Sequence, residues 1–288
     1  MHTHFEEIST RLFSPRLWSK FGSPRHLTPT GSSYQAPSGN PAFGFFDDFL
    51  SFHATTLEGP YKILKGASYT VEQIADSGTE KGILQLGTPG STANGEAVLQ
   101  WGRGLCAPFK LTGNDLVFEC RLSVSATTAA KWSIFAGLAL ADATNGAGIT
   151  DKLFADTTGA LATTVSGAGF QHLVAESTAW DGAYKAASQT AQDGSTKTKL
   201  DTLHTAAVST YVKLGFRYRT NPNSLEYYVN GAMPGGNITP ARLTATELAA
   251  ATFPASTVFM APVIGIKDVA GDTALNLKVD WWACAQFE

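Results

Sequence analysis

Two alternating runs in the last third of the chain constrain its fold most. Thr210-Tyr-Val-Lys-Leu-Gly-Phe-Arg-Tyr-Arg219 leads through Thr220-Asn-Pro-Asn223 into Ser224-Leu-Glu-Tyr-Tyr-Val-Asn-Gly231. Side chains in a strand change face at every residue, so two such runs around an Asn/Pro turn predict a β-hairpin. The second run ends in Asn230-Gly231, a dipeptide suited to the positive φ of a tight turn. A long hairpin of this kind belongs in an antiparallel sandwich.

The rest of the chain can supply such a sandwich. Its 288 residues are 43% hydrophobic, enough for one large core. Candidate strands are Phe45–Phe52, Tyr69–Ile74, Ile83–Gly87, Glu96–Gly102, Asp115–Ser125 and Trp132–Ala141. Pro262–Ile266 and Ala274–Phe287 follow near the end. In Asp115–Ser125, Leu116, Phe118, Cys120, Leu122 and Val124 share one face. Asp115, Val117, Glu119, Arg121 and Ser123 share the other, the pattern of a half-buried strand. Gly169–Glu176 and Ala183–Gln189 read as two strands around a loop at Ala179–Gly182. Leu243–Ala251 reads as one short helix near 244–251, with Thr244 or Thr246 as its cap and Ala and Leu as strong helix formers.

Residues 1–43 differ. Arg11, Arg16, Lys20 and Arg25 outnumber Glu6 and Glu7, and Pro15, Pro24, Pro29, Pro37 and Pro41 punctuate a Ser/Thr/Gly-rich stretch. Proline removes a donor and blocks regular ladders, which predicts an extended N-terminal arm ahead of a sandwich domain over 44–288. Phe13, Trp18 and Phe21 are spaced along the arm as anchors for docking on a partner.

Composition excludes several classes. A formal charge of −3 gives no basic footprint for direct nucleic-acid binding. Only 16% of residues are charged, against roughly 25% in an average soluble protein. That fits a surface shared with other subunits, or a monomer with a Thr/Ser-rich surface. No window approaches the ~20 apolar residues of a membrane helix. The opening Met-His-Thr-His-Phe-Glu-Glu lacks an apolar stretch, so no cleavable signal peptide is expected and the chain reads as soluble in a cytoplasm. Asn237-Ile-Thr239 is then a coincidental glycosylation sequon. Cys106, Cys120 and Cys284 are odd in number, fit no metal clip and sit in apolar settings; buried free thiols are expected.

The strand order resembles the concanavalin A-like (lectin/glucanase, laminin G-type) jelly-roll. The residues that carry the resemblance are Val212–Tyr218, Leu225–Gly231 and a closing strand Leu275–Ala283 returning beside Asp47–Phe52. It covers roughly residues 45–288 and implies an all-β, antiparallel two-sheet jelly-roll sandwich. In style the chain also resembles tailed-phage virion proteins with such a domain. That resemblance implies a capsid decoration (cement) protein located in the virion, with the major capsid protein and copies of itself as partners.

Catalytic and metal chemistry is weakly represented. Glycosidases of this fold carry acids at alternate positions on one strand, and a retaining pair needs carboxyls about 5–5.5 Å apart. Asp115 and Glu119 would lie about 13 Å apart on a strand, with Val117 where a middle acid belongs. Asp47 and Asp48 are adjacent and point to opposite faces. Asp142, Asn145, Asp151 and Asp156 have the style of a calcium loop but no recognisable ligand spacing. His2 and His4 read as incidental, and His53, His172 and His204 as surface or core histidines. No Gly-x-Ser-x-Gly elbow or phosphate-binding loop occurs. The sequence therefore predicts neither an enzyme, a cofactor nor a metal. A glycan site is the alternative: Trp180, Asp181 and Tyr184 would offer a stacking ring with polar neighbours from a loop. Trp281 and Trp282 should point opposite ways from the last strand, one into the core and one toward a partner or covering layer.

Overall fold

A computed structural model describes residues 42–49, 61–74, 82–90, 93–101, 107–113, 115–127, 132–139, 153–155, 159–173, 178–234, 241–249, 251–271 and 274–287. They form two antiparallel sheets. The eight-stranded sheet contains β1 (Ala42–Asp47), β3 (Thr70–Ile74), β4 (Ile83–Gly87), β6 (Asp115–Val124), β11 (Val212–Thr220), β12 (Asn223–Val229), β13 (Arg242–Thr244) and β15 (Asn276–Phe287). Its order is β13-β12-β11-β6-β15-β4-β3, with β1 also on β15. The seven-stranded sheet contains β2 (Tyr61–Lys65), β5 (Glu96–Trp101), β7 (Trp132–Ala139), β8 (Gly167–His172), β9 (Ala179–Lys185), β10 (His204–Thr205) and β14 (Ala261–Asp268). Its order is β10-β9-β8-β7-β14-β5-β2.

The hairpin forms where the alternation placed it. β11 and β12 pair from Leu214↔Val229 to Thr220↔Asn223. Beyond β12, Asn230 and Gly231 adopt φ of 50° and 77°, and Val229 and Ala232 exchange two backbone hydrogen bonds of 2.7 and 2.9 Å. This two-residue turn requires the left-handed region at both positions, which asparagine tolerates and glycine adopts freely.

One face of each sheet meets in the core. Leu116, Phe118, Cys120 and Leu122 of β6 and Leu214, Phe216 and Tyr218 of β11 face Ile134, Ala136 and Leu138 of β7 and Ile264 and Ile266 of β14. Phe118 stacks on Phe216 at 5.5 Å. Cys120 and Cys284 are buried free thiols, as expected, and burial raises both pKa values. Cys106 lies outside the described residues.

Several expectations change. The first strand spans Ala42–Asp47 rather than Phe45–Phe52, because the Asp47 carboxylate accepts the Phe49 N–H at 2.6 Å and turns the chain, with Phe49 at φ 54°. The second face of β6 is not solvated at its centre: Val117 and Glu119 are buried. That face carries a closed polar network. Arg217 pairs with Glu226 at 2.6 Å, Tyr228 donates to the same carboxylate at 2.7 Å, and Arg242 stands 3.5 Å from it.

The helix near 244–251 does not form. Thr244 donates both its N–H and its hydroxyl to the Glu247 carboxylate at 2.9 Å, and Leu248 N–H reaches Thr244 O at 3.0 Å. The turn stops there because Leu243 is already paired with Leu225 in the sheet, while Leu248 and Phe253 are drawn into the core.

Candidate functional site

Strand β9 decides the fate of the sequence-based glycan site. Ala179–Lys185 is a strand rather than a loop, and its alternation separates the three residues. Trp180 and Tyr184 point inward and are buried; Asp181 points to the opposite face and is buried there. Trp180 joins a row in which His172 lies 4.2 Å from Trp132 and 6.0 Å from Trp180, ring to ring. Burial of His172 lowers its pKa to about 4, so the ring is neutral, with Nδ1 2.7 Å from Ala179 O. Tyr184 donates to Glu247 O at 3.1 Å and packs on Phe253. These rings are core, and they present no stacking platform as a set.

A hollow of about 180 Å³, including its open mouth, lies beside Trp180 and His204, lined by Leu122, Val124, Val212 and Thr210.

The polar chemistry of the seven-stranded sheet lies on its outer face. Cross-strand register brings Glu96 of β5 beside Lys267 of β14, and Gln171 of β8 beside Asp181 of β9. All four are buried. Glu96 sits 3.5 Å from the Lys267 ammonium and accepts the backbone N–H groups of Leu153 and Phe154 at 3.0 and 3.3 Å. Lys185 donates to the carbonyls of Leu161 and Ala162 at 3.1 and 2.7 Å, and burial lowers its pKa. Leu153, Phe154, Leu161, Ala162 and Val165 thereby settle on Leu64, Val98, Phe135, Ala139 and Val263 as a second small core. Gly265 makes room for this plug: a Cβ there would stand 2.6 Å from Leu153. A face that could have held a cleft is closed by the chain's own residues.

At the other end of that face, Asp181 accepts the Thr202 N–H at 2.7 Å, and Gln171 donates to Asp193 at 3.0 Å. Burial, reinforced by the charges of Asp201 and Asp193, pushes the Asp181 pKa up to about 6. Among the described residues no group of three His, Cys, Asp or Glu side chains could hold a metal ion.

Other sequence candidates divide clearly. Asp115 accepts the N–H and hydroxyl of Thr220 at 2.7 and 2.6 Å, capping the hairpin. Phe13, Trp18, Phe21, His2, His4, His53, Asp142, Asn145, Asp151 and Asp156 lie outside the described residues. Trp282 is buried in the core and Trp281 is half-buried on the outer face, the opposed pair expected. Sequence reasoning missed Glu96, Lys185 and Lys267. Their signal is a charge at or near the end of a strand: Glu96 opens β5, Lys185 closes β9, and Lys267 stands one residue before the end of β14, where a buried charge needs a partner.

No protein-family model and no curated protein sequence matches the chain. Solved structures do. A protein of unknown function, SO2946 from Shewanella oneidensis MR-1, matches at 17% identity and TM-score 0.52, over 90% of this chain and 96% of that one. The endo-β-1,4-glucuronan lyase of the fungus Trichoderma reesei matches at 11% identity and TM-score 0.51, over 83% of this chain and 94% of that one. Peanut lectin matches at 12% identity and TM-score 0.48, over 85% and 97%. These likenesses are of fold. The chain is an all-β sandwich of two antiparallel sheets.

Proposed function

We propose that the chain is a non-enzymatic structural protein of a virion, of the capsid-decoration (cement) kind. It would dock through its N-terminal arm and sandwich surface on the major capsid protein and on copies of itself. The observation that supports this reading most is the closure of the sandwich. Part of the outer face of the seven-stranded sheet is covered by residues 153–155 and 159–165, tied down by Glu96 and Lys185. A fold closed in this way is suited to build rather than to turn over a substrate in an open cleft. The low charge, 16% of residues, suits a surface shared with neighbours.

Extended arms add main-chain hydrogen bonds and apolar anchors across interfaces, and many copies multiply the effect. The test is incorporation. Purified particles should carry the chain in many copies by quantitative mass spectrometry, and a Trp18→Ala, Phe21→Ala double variant should be lost from them while its domain stays folded. Particles that band without the chain, or that keep the double variant at full occupancy, would overturn this reading. A carbohydrate-binding module is the second reading. It is favoured by a half-buried aromatic and basic patch around Trp281, on the opposite sheet from the plug.

A further inference from the structure

On β15 the pairing register with β6 shifts between Val279 and Trp281. The extra residue is Asp280. Val279 and Trp282 both face the core, so the bulge leaves two consecutive side chains, Asp280 and Trp281, on the outer face. It falls where β15 changes neighbours: the ladder with β4 ends at Val279↔Leu84 and that with β1 begins at Trp282↔Asp47. Arg121 of β6 is the register partner of Trp281 on one side and of Lys213 on the other. Its guanidinium lies 4.3 Å from the centre of the Tyr211 ring and pairs with Asp280. The pair is accessible, at 33% and 21% side-chain exposure.

Two features of this cluster point to a ligand. Arg121 and Lys213 stand directly opposite each other, an arrangement that costs stability in a sheet. Asp280 offsets one of the two charges and leaves a local excess of +1 in a chain whose net charge is −3. Next to that charge stand the half-buried rings of Trp281 on β15 and of Tyr211, the residue before β11, with the Arg121 guanidinium over one face of the tyrosine. Aromatic faces take the C–H face of a sugar ring, a guanidinium fork takes a carboxylate, and a carboxylate such as Asp280 accepts hydroxyls.

We propose that Trp281, Tyr211, Arg121, Lys213 and Asp280 form a binding site for a carboxylate-bearing sugar ring on the outer face of the eight-stranded sheet. Trp281 and Tyr211 stack on the ring. Arg121 and Lys213 hold its carboxylate. Asp280 fixes the Arg121 fork and accepts ring hydroxyls. The site does not depend on the virion assignment: incorporation into particles and sugar binding are read out separately.

The full chain is titrated calorimetrically with tetragalacturonate and with its methyl ester, which keeps the rings and removes the charge. The acid should bind, and the ester should bind at least roughly tenfold more weakly. Trp281→Ala and Arg121→Gln should each weaken binding of the acid by about tenfold or more, with unchanged far-ultraviolet circular dichroism. Trp281→Phe, which keeps a ring, should retain most of it. Should Trp281→Ala fail to fold, Arg121→Gln alone carries the test. Absence of binding by either ligand at millimolar concentration, equal binding of acid and ester, or wild-type affinity in Arg121→Gln would each overturn the proposal.

Discussion

Asp181 shows how one side chain's position in a strand fixes both its role and its pH response. Alternation along β9 sends it away from Trp180 and Tyr184, onto a face where burial raises its pKa from 3.8 to about 6. Between those values the folded chain holds a proton that the unfolded chain has released. The stability this proton contributes is therefore present below about pH 4 and is lost as pH rises through about 6. Asp181→Asn keeps an acceptor for the Thr202 N–H and removes the titration. Urea unfolding at pH 4 and pH 7.5 should show wild type losing about 1–3 kcal/mol relative to the variant. An identical pH dependence in both proteins would exclude this account. Trp180 is legible only in part from sequence. The Trp-Asp-Gly order suggested a loop, because glycine and aspartate usually mark turns; here they continue a strand and the tryptophan fills the core. Trp180→Ala should accordingly cost about 3–5 kcal/mol in denaturant unfolding, as a large core deletion does. A variant of wild-type stability would place the ring outside the core.

At the scale of elements, periodicity was the strongest signal where one face was apolar. The β11–β12 hairpin, β6 and β15 could all be read from alternation, and the Asn230-Gly231 turn from its dipeptide. Gly231→Ala should cost about 1 kcal/mol or more, since alanine resists a φ of 77°. Where tertiary contacts overrode local preference, the reading failed. Thr244 does hydrogen-bond Glu247, yet Leu243, Leu248 and Phe253 are committed to the sheet and core, and propensity alone could not extend a helix. The plug formed by 153–155 and 159–165 was illegible for another reason: nothing local tells that Glu96 and Lys185, far away in sequence, will hold its backbone. That attachment is testable. Glu96→Ala leaves Lys267 and two backbone donors without their carboxylate, and breaking a buried pair typically costs about 3–5 kcal/mol. Hydrogen exchange at Leu153, Phe154 and Ala162 should rise well before global unfolding. Exchange unchanged from wild type would mean that apolar packing alone holds the plug.

Across the whole molecule, β15 is the strand on which the sandwich depends. It pairs with β6 along nearly its full length, with β4 in its first third and with β1 in the remainder. Trp282 and Cys284 reach from it into the core, where Trp282 meets Phe49 and Tyr61 at 6.0 and 5.9 Å. Ladders that join the two ends of a chain carry high loop-closure cost and form only when the intervening strands are in place. The sheet order, unlike the strands, was therefore readable only through the resemblance of strand order, which put the closing strand beside the first. A chain ending at Ala274 removes β15, strips β6 of one neighbour and exposes the apolar edge that Trp282 covers. It should lose near-ultraviolet circular dichroism, bind hydrophobic dye and be digested rapidly by protease. Removing β1 alone withdraws one partner from part of β15 and leaves β6 and β4 in place. That shorter chain should still fold cooperatively, at a lower midpoint in urea. If loss of β15 left a cooperative transition, or loss of β1 abolished one, the closing strand would not hold the central place that its three ladders give it.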